Sequence, residues 1–256
     1  MTNNQNLTVV IIGSGNVAWH ITKQMLHKKV NVLQLYSPHN AKTLAEEFNL
    51  PYTDNLSLLK ENADMYLFSI KDDAYQDVIA HFPYQNKCMI HTSGSVDINV
   101  FQSITENRGV LYPFQTFTKN IDLSFEKIPL CLEAGNQITK EKIEQLAKTL
   151  SDNYHFISSE QRKQLHLAGV FACNFTNAMY RIAKEIVEKN GMDFSILLAL
   201  IEETARKVQR HAPEKVQTGP AIRNDKKIMQ QHLAIIENKE YKLLYQTLSS
   251  IIQKSK

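Results

Sequence analysis

Residues 7–18 constrain this chain more than any other segment, because they join a short β-branched run to two closely spaced glycines. Residues 7–12 predict a buried parallel strand, and residues 17–27 predict the helix that follows it. The segment between them reads Gly13-Ser14-Gly15-Asn16-Val17-Ala18, a form of the G-x-G-x-x-A pattern. In a strand–turn–helix context this pattern is typical of dinucleotide-binding domains.

Each residue of the pattern has a physical role in this prediction. Gly13 permits the tight turn out of the strand, Gly15 lets a pyrophosphate approach the backbone, and Ala18 lets the helix pack close to the sheet. The free N–H groups at the helix start, around Asn16 and Val17, would face the phosphates. The alternative is a glycine turn in an α/β domain that binds no nucleotide.

The end of the second predicted strand, residues 30–36, bears on which dinucleotide fits. Domains that prefer NAD place an Asp or Glu there to bind the ribose hydroxyls, whereas this chain has Ser37-Pro38-His39, with Lys42 nearby. Ser37 can donate a hydrogen bond to a 2′-phosphate, and His39 or Lys42 can supply positive charge. The sequence therefore favours NADP over NAD as cofactor. A simple turn with a solvated Lys42 is the alternative.

Two further predicted strands, residues 65–70 and 88–91, end in residues that suit a ligand. Ligands of open α/β sheets bind outside the carboxyl ends of such strands. The candidate cofactor neighbours at these ends are Ser69, Ile70, Lys71, His91, Ser93 and Gly94. The alternatives are a charged strand-to-helix turn after the first strand and a histidine that only holds its loop after the second.

An aromatic-rich loop ends the strand predicted over residues 109–118. Gln115 and Thr116 lie between Phe114 and Phe117, so polar groups are set among apolar walls, as in many small-molecule sites. We therefore predict Gln115 and Thr116 as substrate-binding residues. A core strand with a buried turn is the alternative.

Strands and helices alternate up to residue 157, and helices alone follow. The predicted helices of this later part are residues 160–189, 194–211, 225–238 and 240–253. The fold class is therefore α/β, with an N-terminal Rossmann-type, mainly parallel sheet covered by helices on both faces, and a C-terminal all-α domain. The predicted domains are a dinucleotide-binding domain, residues 1–158, and a helical domain for substrate binding and dimerisation, residues 159–256.

The helical part contains polar side chains that suit catalysis. His166 and Asn174 are separated by 8 positions, which at about 100° per residue places them on one side of an α-helix. Asn177 extends that side. Polar groups on an otherwise apolar helix are costly unless they are hydrogen-bonded or used. We predict His166 and Asn174 as catalytic residues and Asn177 as substrate-binding, with a polar ladder or dimer seam as the alternative.

A Gly-Pro turn at residues 219–220 precedes Arg223 and Asp225. The guanidinium fork of arginine suits a carboxylate or phosphate, because it donates two parallel hydrogen bonds. We predict that Arg223 acts in catalysis by holding an anionic group of the substrate, and that Asp225 contacts the substrate. The alternative is an interhelical loop with a structural ion pair, in which Asp225 caps the next helix.

Composition narrows the possible partners. The net charge of +3 is too small to indicate nucleic-acid binding, and no apolar run reaches the roughly 18 residues of a membrane span. The first residues are polar, so we expect no signal peptide. Cys88, Cys131 and Cys173 fit neither a disulfide framework nor a metal site. We therefore expect a cytoplasmic protein with no metal, no nucleic-acid partner and no membrane partner.

With these motifs, the chain resembles bacterial Rossmann-like NADP oxidoreductases whose C-terminal helical half is a domain of unknown function. These are relatives of pyrroline-5-carboxylate reductase and of F420-dependent NADP reductases. The matching segments are residues 13–20, 91–94, 112–117, 166–174 and 218–225. The chain departs from the family pattern at Tyr112, where a histidine is usual, and at Asn224, where a glycine is usual. Val170 stands where related hydroxyacid dehydrogenases have a lysine.

The resemblance implies an NADP-binding domain, a helical domain that forms homodimers, and a cleft between them. We expect an oxidoreductase that transfers hydride to a C=O or C=N group of a small, anionic substrate, with His166 donating the accompanying proton. The alternatives are a sensor dimer that binds NADPH without turnover, and a structural dimer that has kept only the motif. A deazaflavin redox partner also stays open, because F420-dependent relatives share the N-terminal half.

Overall fold

The computed structural model describes residues 7–254, which divide into two compact units between Ala178 and Met179. Residues 1–6 and 255–256 lie outside the described residues. The polar start, on which the expectation of no signal peptide rests, is among them.

One eight-stranded sheet forms the base of the first unit. Its strands are β1 (Thr8–Ile12), β2 (Asn31–Tyr36), β3 (Tyr52–Thr53), β4 (Met65–Phe68), β5 (Met89–His91), β6 (Arg108–Pro113), β7 (Leu130–Ala134) and β8 (Tyr154–Phe156). Their order is β3-β2-β1-β4-β5-β6-β7-β8, and every neighbouring pair is parallel except β6 and β7. The first six positions follow the Rossmann order. The predicted fold class, α/β with a mainly parallel sheet, is confirmed.

Ten α-helices follow or connect these strands within the described residues. They are α1 (Asn16–His27), α2 (Ala41–Phe48), α3 (Tyr75–Ala80), α4 (Gln137–Leu150), α5 (Ser159–Gly169), α6 (Thr176–Lys189), α7 (Leu198–Val208), α8 (Pro213–Val216), α9 (Lys226–Ile235) and α10 (Lys239–Lys254). The C-terminal part is helical, as predicted.

The sheet is covered on both faces. Successive side chains of a strand point to opposite faces. On one face, Ile11 of β1 packs in a cluster with Ile21 of α1 and Ile143 of α4. On the other face, Ile12 belongs to a cluster with Tyr75 of α3. Because residues 9–12 of β1 are buried on both faces of the sheet, they form a continuous apolar run rather than an alternating one.

Arg162 of α5 attaches the first helix after the sheet to that sheet. Its side chain is fully buried, and its guanidinium donates to the carboxylate of Glu133 on β7 and, at 2.6 Å, to the carbonyl of Val96. A buried charge needs such partners, because it has lost its hydration. Helix α5 therefore lies in the same compact unit as the sheet, and this unit continues to Ala178, past the predicted boundary at 158.

The helix predicted over residues 160–189 contains a π-helical segment. Between α5 and α6, Val170–Phe175 is π-helical. A π turn is wider than an α turn, because its hydrogen bonds join residues five apart. The spacing of about 100° per residue, from which His166 and Asn174 were predicted to share a side, does not apply across this segment.

The second unit is helical, and nearly all of its apolar side chains are exposed or only partly buried. Within the described residues, none of α7, α8 or α9 has a buried residue, and α10 has only Ser249. Its large exposed apolar side chains are Ile186, Met192, Ile196, Leu198, Leu200, Val208, Ile235, Leu243, Leu248 and Ile251. Among residues 7–254, no helix combines the length and the apolar character needed to span a membrane.

Candidate functional site

A cavity of about 950 Å³ lies at the carboxyl ends of the central strands of the first unit. It follows β2, β1, β4, β5 and β6 and thus includes the switch point between β1 and β4, where open α/β sheets bind ligands. The predicted site residues that line it are Gly13, Gly15, Asn16, Val17, Ser37, His39, Ser69, Ile70, Lys71, Ser93, Gly94, Gln115 and His166. A second cavity, of about 390 Å³, lies between α1 and residues 122–125 and contains none of the predicted site residues.

The two glycines of the motif differ in whether the surrounding structure excludes a side chain. Gly13 has a φ of +124°, and a Cβ atom there would lie 2.0 Å from the carbonyl oxygen of Ser69. This glycine is therefore required by the close approach of the β1 and β4 exits. A Cβ atom on Gly15 would meet no atom of the described residues within 4 Å. Packing does not require that glycine, and the space beside it is open to a ligand.

Helix α1 begins at this open space. Gly15 is its N-cap residue, no side chain caps the helix start, and the first turn has no acidic residue. Asn16 donates its side-chain amide to the carbonyl of Phe117 at 3.0 Å, which attaches the loop after β6 to the helix start. Unpaired N–H groups and the helix dipole make such an N-terminus a binding site for an anion.

Mostly polar residues line the cavity at the end of β2. Ser37 Oγ accepts a hydrogen bond from Ser14 Oγ at 2.9 Å, and Ser37 is buried whereas His39 and Asn40 are exposed. The lining residues of this end are Tyr36, Ser37, Pro38, His39 and Asn40. None of these five is acidic.

The charged residues near this end lie outside the cavity lining. Lys42 is 3.8 Å from Glu46 on the exposed side of α2. Burial, with the charges of Asp77 and Asp54, raises the pKa of Tyr36, yet neither aspartate lines the cavity. His39 is therefore the basic side chain at this edge of the site.

Hydrogen bonds within the loop after β5, and one from that loop to the segment after β4, hold the middle of the cavity wall in place. Ser93 Oγ accepts from the backbone N–H groups of Ser95 and Val96, each at 3.1 Å. The hydroxyl of Ser95 in turn donates to the carboxylate of Asp72. These contacts fix the backbone around Gly94.

His91, at the end of β5, holds this loop through a hydrogen bond with the backbone of Ser93. It is fully buried, and its Nδ1 accepts from the N–H of Ser93 at 3.2 Å. Its Nε2 has no hydrogen-bond partner among the described residues. Burial, together with the charge of Arg162, lowers the pKa of His91 to about 3, so its ring is neutral near pH 7. His91 does not line the cavity.

Tyr112 and His166 form a hydrogen-bonded pair at the β6 end of the cavity. The Tyr112 hydroxyl oxygen lies 3.0 Å from His166 Nδ1, and burial raises the pKa of Tyr112 to about 12. A Cβ atom on Gly94 would lie 2.6 Å from His166 Nδ1. One on Gly169 would lie 2.8 Å from the ring of Phe114. Both glycines thus permit α5 to approach the strand ends closely.

Four other predicted residues of the first unit do not line the cavity. Ala18 is fully buried in the core beneath α1, in the packing position predicted for it. Thr116 is exposed, and its N–H donates to the side chain of its neighbour Gln115 at 2.9 Å. Asn174 and Asn177 are exposed, so they do not bear the burial cost that the sequence argument assumed.

Arg223 and Asp225 lie in the second unit, where Arg223 is exposed. Asp225 accepts a hydrogen bond from the N–H of Ile228 at 3.2 Å and thereby caps α9. Asn224 between them has a φ of +56°, a conformation that glycine and asparagine adopt most readily. This explains how asparagine can replace the usual glycine. The described residues contain no cluster of three or more His, Cys, Asp or Glu residues that could hold a metal ion.

Several cavity-lining residues were absent from the predicted site. They are Ser14, Tyr36, Pro38, Asn40, Asp72, Asp73, Ala74, Val78, Thr92, Ser95, Tyr112, Pro113 and Phe117. Most lie just after strand ends, so the rule that located Ser69 and Gly94 would have found them if applied to every residue there. For Tyr112, the sequence indicates only a departure from the family pattern.

Comparisons with known proteins cover both parts of the chain. Residues 8–93 match the family model "NADP oxidoreductase coenzyme F420-dependent", and residues 128–252 match a domain of unknown function, DUF2520. A crystal structure described as a "putative NADP oxidoreductase" from Bacteroides fragilis is 37% identical, with a TM-score of 0.91 over 97% of this chain and 98% of that chain. No curated protein matches the sequence.

Two more distant solved structures share the fold. A 1-pyrroline-5-carboxylate reductase from Streptococcus pyogenes is 18% identical, with a TM-score of 0.64 over 97% of this chain and 96% of that chain. A pyrroline carboxylate reductase from Plasmodium falciparum, with NADP bound, is 12% identical, with a TM-score of 0.63 over 98% of each chain.

Proposed function

Because the chain belongs to the family of Rossmann-type NADP oxidoreductases with a C-terminal domain of unknown function, we propose that it transfers hydride from NADPH to a C=O or C=N group of a small substrate. The observation that most supports this proposal is the uncapped start of α1 beside Gly15, within the large cavity at the switch point. The reduced nicotinamide supplies the hydride, and the protein binds and orients both reactants.

The order of the strands suggests which residues hold each part of the cofactor. Residues 13–17 would bind the pyrophosphate through backbone N–H groups. The polar end of β2 would bind the adenosine ribose and its phosphate. Residues 69–71 and 93–94 would contact the remaining half, because β4 and β5 lie on the opposite side of β1 from β2. The end with Tyr112 and His166 would then be left for the substrate.

The preference for NADP over NAD rests on the end of β2. Ser37 can donate to a 2′-phosphate, and His39 can add positive charge. A carboxylate lining this end would repel the phosphate, and the five residues that line it include none. NADPH should therefore bind more tightly than NADH.

The proposed role of His166 follows from the same arrangement. His166 would donate a proton to the reduced group, since it lines the same cavity as the residues proposed to bind the cofactor. From the sequence alone, we further propose that Asn174 orients the substrate or His166 and that Arg223 binds an anionic substrate group, although neither residue lines the cavity. Alanine variants of these two residues should raise KM for the substrate once it is identified.

The first experiment is a titration of the purified protein with NADPH and NADH, followed by reduced-nicotinamide fluorescence. Gly15→Asp provides a sharp variant, because aspartate is a good N-cap residue and should leave the melting temperature unchanged or higher. Its charge would face the pyrophosphate, with a repulsion of roughly 4 kcal/mol at 4 Å and an effective dielectric of 20. We expect NADPH affinity to fall at least about 100-fold.

Gly15→Asn is the matched control, because it has nearly the same shape without the charge. We expect its affinity to lie between those of the wild type and Gly15→Asp. Equal NADPH binding by all three proteins would overturn the assignment of the pyrophosphate site. Tight NADPH binding with no turnover of any carbonyl or imine compound would instead favour the sensor alternative.

We also propose that the protein is a homodimer joined through its C-terminal helices. The exposed apolar side chains of α7, α9 and α10 support this, since amphipathic helices bury such residues against another surface. A second copy is the natural occupant, because two-fold homodimers are the commonest oligomers.

Sedimentation velocity of the wild type and of Leu200→Glu would test the dimer. The wild type should sediment as a dimer, and the variant should shift towards the monomer because a charge would be buried at the interface. Ile138→Glu on α4 is the control, since Ile138 is equally exposed but lies in the first unit. A monomeric wild type would refute the proposal.

A further inference from the structure

We propose that Tyr112 is a positioning residue that holds His166 in the tautomer protonated on Nε2 and replaces the proton that His166 gives up. The inference deepens the proposed function and rests on it for the role of His166 as proton donor. The tautomer itself is a property of the free protein.

The geometry of the pair supports this role. The Tyr112 hydroxyl oxygen and His166 Nδ1 are 3.0 Å apart, an ordinary hydrogen-bond distance. The two rings are inclined by 66°, with centroids 6.1 Å apart. The absence of a side chain at Gly94 is what admits both rings, since its Cβ would lie 2.9 Å from Tyr112 Cζ and 2.6 Å from His166 Nδ1. Strand β6, the loop after β5 and α5 thus converge on this one hydrogen bond.

The direction of the hydrogen bond follows from the acidities of the two partners. A phenol keeps its proton at neutral pH, and the pKa of Tyr112 is raised further by burial. A phenol O–H is also a better donor than a neutral imidazole N–H, and an imidazole nitrogen is the better acceptor. The tautomer of a histidine is set by the hydrogen bond of its other nitrogen. With Nδ1 accepting, the proton of neutral His166 is on Nε2.

The pair allows His166 to donate a proton without becoming an imidazole anion. A neutral imidazole that gives away its Nε2 proton would become an unfavourable anion. If the Tyr112 proton moves to Nδ1 as the Nε2 proton moves to the substrate oxygen or nitrogen, the imidazole stays neutral and the charge rests on the phenolate oxygen. A water proton then binds Nε2 while the Nδ1 proton returns to Tyr112. The net result is one proton taken from water.

This arrangement restricts the substrate group that can react at this end. The atom facing Nε2 must accept a hydrogen bond, as a carbonyl oxygen or an unprotonated imine nitrogen does. A protonated iminium nitrogen has no lone pair and would not accept it. We therefore assign the site to neutral carbonyl or imine groups.

The test is an NMR measurement on the cofactor-free protein labelled with ¹⁵N-histidine. Long-range ¹H–¹⁵N spectra distinguish a protonated ring nitrogen from an unprotonated one, and the loss of a signal in His166→Gln assigns the ring. For the wild type we expect an unprotonated Nδ1 and a protonated Nε2. In Tyr112→Phe the tautomer ratio should fall about fivefold, which corresponds to about 1 kcal/mol. Tyr154→Phe, which removes a hydroxyl bonded to Glu144, is the control and should leave the His166 signals unchanged.

Two outcomes would overturn the inference. One is a wild-type His166 protonated on Nδ1. The other is an unchanged tautomer ratio in Tyr112→Phe whose histidine spectrum is otherwise that of the folded wild type. Gly94→Ala gives a second perturbation, because the added methyl would push the rings apart and should also weaken the Nε2 preference. The measurement needs neither cofactor nor substrate. A protein that shows the tautomer but binds no NADPH would therefore refute the proposed function and leave the inference about the pair intact.

Discussion

The buried His91 should make the protein lose stability as the pH falls from 7 to 5. Its pKa is lowered to about 3 in the folded state, first by burial and then by the charge of Arg162. In the unfolded chain a histidine titrates near 6.5. Between these two values the unfolded state binds more protons than the folded state, so stability rises with pH. The stabilisation is fully present above about pH 6.5 and is lost as the pH falls towards 3.

The size of the effect follows from the same two pKa values. Between pH 7 and pH 5, the linkage relation gives a loss of about 2 kcal/mol in the free energy of unfolding. Ordinary carboxylates titrate lower and contribute little over this interval. The assay is urea unfolding followed by circular dichroism at both pH values, with a fixed protein concentration.

His91→Asn is the informative variant, because the asparagine oxygen can replace Nδ1 as acceptor for the Ser93 N–H. Its stability at pH 7 should be lower, since it packs less well beside Tyr75 and Phe101, but its change between pH 7 and pH 5 should be smaller by about 2 kcal/mol. His155→Asn, which changes an exposed ring, should keep the full pH dependence. If His91→Asn lost as much stability on acidification as the wild type, the reasoning would be refuted.

Two further predictions concern the cofactor and the core. Ser37→Asp should weaken NADPH binding and strengthen NADH binding, each by about tenfold, because the carboxylate repels a 2′-phosphate and accepts a hydrogen bond from a ribose hydroxyl. Fluorescence titration measures both affinities, and Ser37→Asn is the uncharged control. If Ser37→Asp kept the cofactor preference of the control, this prediction would be wrong. Glu133→Gln should lower the free energy of unfolding by about 3–5 kcal/mol, because the charge of Arg162 stays buried without its partner. Replacing the pair together, as Glu133→Leu with Arg162→Met, should cost less in the same urea experiment, and equal losses would contradict this account.

Much of the fold could be predicted because its signals are local. Residues 9–12 of β1 are buried on both faces of the sheet and must be apolar, and Gly13 after them must satisfy the turn and the close approach to Ser69. Strand β3 was missed because two residues leave no periodic pattern. The π-helical segment was missed because its sequence is compatible with an ordinary α-helix.

The site was less predictable, because it depends on contacts between distant segments. The residues after β1, β2 and β4 could be listed from the ends of predicted strands. The pairing of Tyr112 with His166 could not, because 54 residues separate them. Arg162 helps to hold α5, which carries His166, against the sheet, and an arginine on a predicted helix is usually interpreted as a surface residue. The part of the cavity that follows β1, β2 and β4 was therefore easier to predict than the part formed by β6 and α5.

The attachment of Arg162 has a consequence for exchanging modules between related proteins. A chimaera joined at residue 158 would take α5 from a different parent protein than the sheet. Glu133 and the Val96 carbonyl would then contact a helix from the other parent, and His166 and Tyr112 would come from different parents. A junction after residue 178 would keep these partners together. In a recombination experiment, the N-terminal segment that is exchanged as one piece should therefore include α5, the first helix after the last strand.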